Sequence, residues 1–311
     1  MMIEHEFIKW LKEQHADVAS APNVELGIGD DAAILDAGDQ PLVIASDMIA
    51  EGTHFLLDHD SLDDDLLRLV GRKALAVNLS DLAAMASRPV ACLLNLQLPK
   101  TFGVAQAKQI FSGVEQLARE FNVVILGGDT NRWDGGLVIG VTAIGYQTVE
   151  KGWRQNGAVV GDEVLVSGAL GGSILGWHLR FQPRCQLALQ LAEKYEIHGA
   201  TDISDSLSSD LMQMIGQGQG IAIEMATIPI SKSAKEMVNK DGVSAIEHAL
   251  QDGEDFELIV TAAAEEALKI VNDDALEVPM TRIGRVIDQA GLWRRDSSGS
   301  LSPLEAKGYE H

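Results

Sequence analysis

Between residues 42 and 146 short apolar runs alternate with longer stretches of helical period, and few folds accommodate that order. Leu42-Val43-Ile44-Ala45 has the length and composition of a buried strand. Residues 62–87, rich in Leu and Ala, predict a long helix that ends before Arg88-Pro89. Residues 91–98 predict a strand stopped by Pro99, and residues 104–121 a second amphipathic helix. A short strand over 122–126 meets the Gly127-Gly128 breaker, and 137–146 reads as another strand. The order β-α-β-α-β-β describes an α/β (α+β) domain of about 150 residues. Residues 3–16 add an amphipathic helix with Ile3, Phe7, Ile8 and Leu11 on one face; its acids set it apart from a signal peptide.

Apolar periodicity fades through the glycine-rich stretch 152–161, which places the domain boundary at 149/150 and gives domains 1–149 and 150–311. The second domain has expected strands at 163–166, 221–225, 256–261 and 282–286. Its helices are expected to start at 173–179, 187–195 and 206–215, with a glycine turn at 216–220.

Composition narrows the partners. Acids outnumber bases 46 to 24, a formal net charge of −22. DNA, RNA and anionic membrane each need a basic patch, so none is an expected partner. A small phosphorylated ligand stays open, because a bound cation reverses the local field. The 46% hydrophobic content supports a sizeable core. Cys92 and Cys185 give neither a disulfide framework nor a zinc spacing, which suits a reducing cytoplasm. No apolar run approaches the ~18 residues that span a bilayer.

Gly27-Ile28-Gly29-Asp30-Asp31-Ala32 nearly fits the dinucleotide fingerprint, with Asp47 about 20 residues on. Electrostatics argues against that reading. The fingerprint seats a pyrophosphate on a helix N-terminus, and here two carboxylates would face it. The segment that follows is also too short for the helix. A phosphate-cradling loop of the Walker type is absent, since no Gly-Lys pair occurs.

The acids cluster instead in turns flanked by Gly or Ser: Gly29-Asp30-Asp31, Ser46-Asp47, Ser80-Asp81, Gly128-Asp129, Asp202-Ile203-Ser204-Asp205 and Gly253-Glu254-Asp255. Any single aspartate of this kind is as readily a cap or a turn former. Six such turns beside apolar runs point further, to carboxylates converging on hard cations and phosphate.

These segments, together with Ala50-Glu51-Gly52-Thr53-His54-Phe55, the run from Lys73 to Met85 and the terminal Lys307-Gly308-Tyr309, closely resemble the thiamine-monophosphate kinase family. The wider superfamily includes aminoimidazole ribonucleotide synthetase. The resemblance runs in order from about residue 25 onward, and the Lys73–Met85 string is its most specific part. It implies a two-domain architecture, a homodimer formed through the N-terminal domain, and ATP-dependent phosphorylation of thiamine monophosphate assisted by several Mg²⁺ ions. Asp30, Asp47, Asp81, Asp129, Asp202 and Asp205 look like magnesium ligands, with Ser46 helping. Gly128, Asp129, Arg154 and Ser204 align with nucleotide contacts, and His54, Glu254 and Tyr309 with substrate contacts. No catalytic base is expected, because a phosphate oxygen is already a nucleophile. A related enzyme with another phosphorylated acceptor, or a non-catalytic nucleotide-binding relative, stays open at this point.

The chain departs from the family pattern at Gly171-Gly172-Ser173 (usually Gly-Asp-Ser), at Ser206 (usually Gly), in a shortened stretch over 176–183, and at Ala306 (usually aromatic). The last of these bears on acceptor identity, with Tyr309 the available replacement.

Overall fold

The computed structural model describes residues 10, 24–26, 34–35, 41–149, 153–296 and 298–308, with the backbone alone at 24–26 and 34–35. These residues divide into two compact units. The first takes the described residues up to Leu82 together with Arg88–Gln147. The second takes Ala83–Ser87 together with Thr148 onward. The change of unit thus falls two residues before the sequence boundary, and 83–87 group with the second unit.

In the first unit, β1 (Val24–Leu26) pairs antiparallel with β2 (Ile34–Leu35). A strand, not a helix, is the next described element after the glycine loop. The expected helix over 3–16 lies outside the described residues except for Trp10, which packs edge-on to Phe111. A four-stranded sheet follows, in the order β3 (Leu42–Ala50), β6 (Val138–Gln147), β4 (Ser87–Pro99), β5 (Val124–Trp133). β3 runs through the polar Ser46-Asp47 pair because it is matched residue by residue with β6. β5 likewise continues through Gly127-Gly128, where a break was expected, because it pairs parallel with β4 as far as Trp133.

Period-two alternation gives this sheet a packed face and an open one. On β4, Leu94, Leu96 and Leu98 are buried while Asn95 between them is exposed. Two helices accompany the sheet. α1 (Asp64–Ala84) is buried almost all round from Val70 onward, as an apolar helix must be. α2 (Val104–Glu120) buries only one stripe, with Ala107, Ile110, Phe111, Val114 and Leu117 at spacings of three and four.

The second unit is built on a seven-stranded sheet. Its order is β13 (Leu301–Pro303), β12 (Gly291–Arg295), β9 (Gly220–Glu224), β11 (Met280–Ile287), β7 (Glu163–Ser167), β10 (Leu258–Ala262), β8 (Gly199–Asp202). All neighbours are antiparallel except β12 and β9. The core is aliphatic, with Val164, Val166, Leu207, Leu211, Ile221, Ile223, Ile259 and Ile283 at its centre.

The helices are short: α3 (Trp177–Arg180), α4 (Cys185–Lys194), α5 (Leu207–Gln213), α6 (Lys232–Asp241), α7 (Ala245–Gln251) and α8 (Ala264–Val271). The helix expected from 173 becomes a 3-10 turn at Ser173–Leu175 followed by four-residue α3, because Gly176 between them has φ +115°. Cys92 and Cys185 are both buried, and burial raises both thiols, Cys92 to about 12, so neither is reactive.

Candidate active site

Ser46, Asp47 and Asp129 line one pocket of about 450 Å³ in the first unit, together with Asn95, Gln97 and Asn131. Strand register brings them there. Ser46 lies opposite Thr142, Asp129 opposite Asn95, and Asn131 opposite Gln97. The hydroxyls of Ser46 and Thr142 are 2.9 Å apart. The Asp129 N–H donates to the Asn95 carboxamide oxygen at 3.1 Å, and its carboxylate accepts from the Thr130 N–H and the Asn131 amide, each at 2.8 Å. Asp129 is therefore fixed by three bonds before any ligand arrives. Asn95 and Asn131 escaped the sequence reading, although Asn95 and Gln97 alternate with buried leucines along one strand.

Gly128 has φ +152°, and a Cβ there would lie 1.6 Å from the Leu94 carbonyl oxygen. Only glycine lets β5 approach β4 at this point. Asp81 does not line the pocket, but its helix reaches Asp47 through Asn78. Asn78, fully buried on α1, accepts from the Asp47 N–H at 2.9 Å and donates to the Ala74 carbonyl at 3.0 Å. Asp81 follows three residues later, on the same helix face.

His54 closes the turn after β3. Its Nδ1 accepts from the Ala50 N–H at 3.0 Å, so the ring is neutral there and carries its proton on Nε2. The buried Lys73 ammonium donates to the His54 carbonyl at 2.9 Å.

The second unit gathers its residues on a turn. Asp202 ends β8, and Ser204 and Asp205 follow it. Asp210, missed by the sequence reading, organises them: one carboxylate oxygen accepts from the N–H groups of Ser204, Asp205 and Ser206 at 3.0, 3.2 and 3.2 Å. Burial, reinforced by the charges of Asp202 and Asp205, pushes its carboxyl up to about 8. The Glu254 loop packs onto this turn, with the Glu254 N–H on the Ser204 carbonyl and the Phe256 N–H on the Ile203 carbonyl, both at 2.8 Å. Glu254 and Phe256 both have left-handed φ, +52° and +50°. Such backbone persists only where its surroundings over-determine it.

Those surroundings are visible. Asp255, grouped with the site acids by its motif, points inward instead and accepts the Gly171 N–H at 2.9 and 3.0 Å. Its burial holds the carboxyl well above the usual range. Ser173 donates to the Gly253 carbonyl, and Trp177 Nε1 to the Asp255 carbonyl, both at 2.8 Å. Gly172, where the family pattern has Asp, has φ +74°, and a Cβ would lie 2.4 Å from the Ser233 carbonyl carbon. No side chain fits there. Its N–H donates instead to Asp252 at 2.6 Å. Arg154 lies at the opposite end of β8, with its carbonyl accepting from the Ala200 N–H at 3.1 Å. Asp30 and Tyr309 lie outside the described residues.

The donor set is all oxygen, the hard chemistry that Mg²⁺ prefers. Mg²⁺ uses one or two carboxylates and fills its remaining positions with water and phosphate. Ser46, Asp47 and Asp129 around one pocket fit that pattern. Among the described residues no group of three or more His, Cys, Asp or Glu side chains could hold a metal by itself. None of the described helices is long and apolar enough to cross a membrane.

Residues 29–147 match the N-terminal domain of AIR synthase related proteins, and residues 122–294 match their C-terminal domain. The thiamine-monophosphate kinase of Rhodopirellula baltica is 39% identical over 318 residues, covering 99% of this chain and 97% of that protein. The crystal structure of thiamine-monophosphate kinase from Stenotrophomonas maltophilia K279a has a TM-score of 0.78 at 32% identity, covering 94% of this chain and 96% of that one. The structure of AaThiL complexed with AMPPCP and TMP has a TM-score of 0.75 at 28% identity, covering 99% and 96%. The chain belongs to the thiamine-monophosphate kinase family within the AIR synthase related proteins.

Proposed function

We infer that this chain transfers the terminal phosphoryl group of ATP to thiamine monophosphate, giving thiamine diphosphate and ADP. The observation that carries this reading is the meeting of Ser46, Asp47 and Asp129 at one pocket, in a chain of this family. An oxygen of the acceptor phosphate forms the new bond to the γ-phosphorus as the bond to the β-bridging oxygen breaks. The attacking oxygen is already anionic, so no base removes a proton.

What the residues do is position groups and offset charge. Ser46, Asp47, Asp81 and Asp129, with Asp30, would hold Mg²⁺ in the first unit, and Asp202 and Asp205 in the second. Bound magnesium supplies charge neutralisation on the phosphate oxygens. Gly128 and Asp129 in the first unit, and Arg154 and Ser204 in the second, are each assigned to the nucleotide. His54 offers the Nε2 proton as a hydrogen-bond donor to an anionic substrate oxygen. Glu254 and Tyr309 contact the acceptor. The chain acts as a cytoplasmic homodimer; Leu42, Ile44 and Met48, apolar and exposed on β3, support a second copy covering that face.

The test offers ATP, Mg²⁺ and a panel of phosphorylated acceptors that includes thiamine monophosphate, with products read by mass. Thiamine diphosphate is the expected product. Its absence at high enzyme concentration sinks this reading.

A further inference from the structure

Ser206 and Ser208 are buried, 0% and 1% exposed, yet both spend their hydroxyl protons on one carbonyl of an exposed residue. Ser206 Oγ and Ser208 Oγ each donate to the Lys307 carbonyl at 2.7 Å. Ser208 Oγ also accepts from the Lys307 N–H at 3.0 Å, so these two residues exchange a pair of bonds much as paired strands do. Ser206 Oγ accepts from the Ser209 N–H at 3.0 Å as the N-cap of α5. Each hydroxyl thus donates its proton and accepts one bond, and both lone pairs of the Lys307 carbonyl are taken. Upstream, Leu304 packs against the aliphatic core, and its N–H donates to the Leu292 carbonyl at 2.9 Å. The segment from Leu304 to Gly308 is therefore fastened at two points, and the second lies directly behind the Ser204-Asp205 turn.

We propose that Ser206 and Ser208 are positioning residues: they strap the C-terminal segment, through Lys307, to the turn that carries Ser204 and Asp205, and this strap sets the affinity for the phosphate acceptor. The proposal rests on the kinase reading, in which Tyr309, covalently next to Gly308, contacts the acceptor. The serine at 206 replaces the glycine of the family pattern and adds a hydroxyl to the strap.

The test compares wild type with Ser208→Ala, which removes both bonds between Ser208 and Lys307 but leaves the α5 cap in place. Hydrogen exchange at the Lys307 amide is expected to quicken by about tenfold, the equivalent of one lost hydrogen bond. KM for thiamine monophosphate is expected to rise about fivefold, while KM for ATP stays within about twofold. Ser206→Thr keeps the hydroxyl and should keep the wild-type KM values. Unchanged Lys307 exchange overturns the strap. Faster exchange with an unchanged acceptor KM overturns its role, as does an equal rise in both KM values, which would mark general loosening.

If Ser208→Ala fails to fold, Gly308→Val serves instead. A Cβ there lies 2.5 Å from Ser209 Oγ and 3.0 Å from Ser206 Oγ, so it lifts the strap while the buried serines stay intact. The same split in KM is expected. Wild-type turnover tests the kinase reading separately, and the Lys307 exchange tests the strap whatever the substrate.

Discussion

The first unit places its candidate residues by strand register, whereas the second places them by side chains that clasp loop backbone. Ser46 and Asp129 sit where β3, β6, β4 and β5 align them, and their neighbours Thr142 and Asn95 are cross-strand partners. Ser204, Asp205 and Glu254 sit on turns held by the carboxylates of Asp210, Asp252 and Asp255. Register is backbone geometry shared over many residues, so no single polar side chain is indispensable to it. A clasped turn depends on the few groups that hold it. Changes in the first unit should therefore separate chemistry from stability, and changes in the second should move them together.

The largest effect tests the first half of that contrast. Asp129→Asn keeps the shape and an acceptor but removes the charge. Turnover should fall by at least about 100-fold, as when a preorganised charge-stabilising group is lost. The urea midpoint should stay at the wild-type value. Asp81→Asn should behave alike. Wild-type turnover in both variants removes the metal and phosphate assignment of the pocket.

Asp210→Ala tests the second half. Three N–H groups lose their acceptor, at a cost of about 1–3 kcal/mol in urea denaturation, and KM for ATP should rise with it. A variant with lost nucleotide binding but full stability would erase the difference between the two units.

The smallest effect is a pH dependence. His248 is buried, which lowers its pKa, but Asp252 at 2.9 Å and Asp241 at 3.3 Å outweigh burial and raise it above 6.5. The folded state then binds this proton more tightly than the unfolded chain does. Its stabilisation is fully present below pH 6.5 and is lost as pH rises through the raised value. In urea titrations the stability difference between wild type and His248→Gln should shrink as pH rises. A difference that is flat across this range would show that the charge on His248 does not help hold Asp252 against Gly172.

Much of the first unit was legible. Apolar runs and helical period marked β4, β6, α1 and α2, since each buries one face or all of itself. Gly127-Gly128 misled because a glycine pair breaks a strand only where no partner needs it. Here the absent Cβ is what admits the Leu94 carbonyl. Asn78 lay inside the most specific motif but carries no chemistry of its own. Its role appears only when its amide meets the Asp47 backbone. Asp255 and Asp210 divide the same way. The Gly-Glu-Asp motif marked Asp255 as a site acid and nothing marked Asp210, yet Asp255 turns inward and Asp210 shapes the turn. Which way a carboxylate points is set by the N–H groups that surround it; for Asp255 these come from Gly171, 84 residues away, and for Asp210 from the turn just before its own helix.

Residue type and spacing alone determined that this protein is mixed α and β, that its acids gather in turns suited to cations and phosphate, and which family it resembles. The first two are local properties, written in composition and in periods of 2 and 3.6; the resemblance rests on the ordered motif strings, the Lys73–Met85 run above all. Tertiary structure decided which carboxylates reach a pocket, which are consumed in holding loops, and that a C-terminal lysine carbonyl is clasped by two buried serines. Each of those depends on desolvated hydrogen bonds between segments up to 101 residues apart, and a buried donor takes whatever acceptor the fold brings to it.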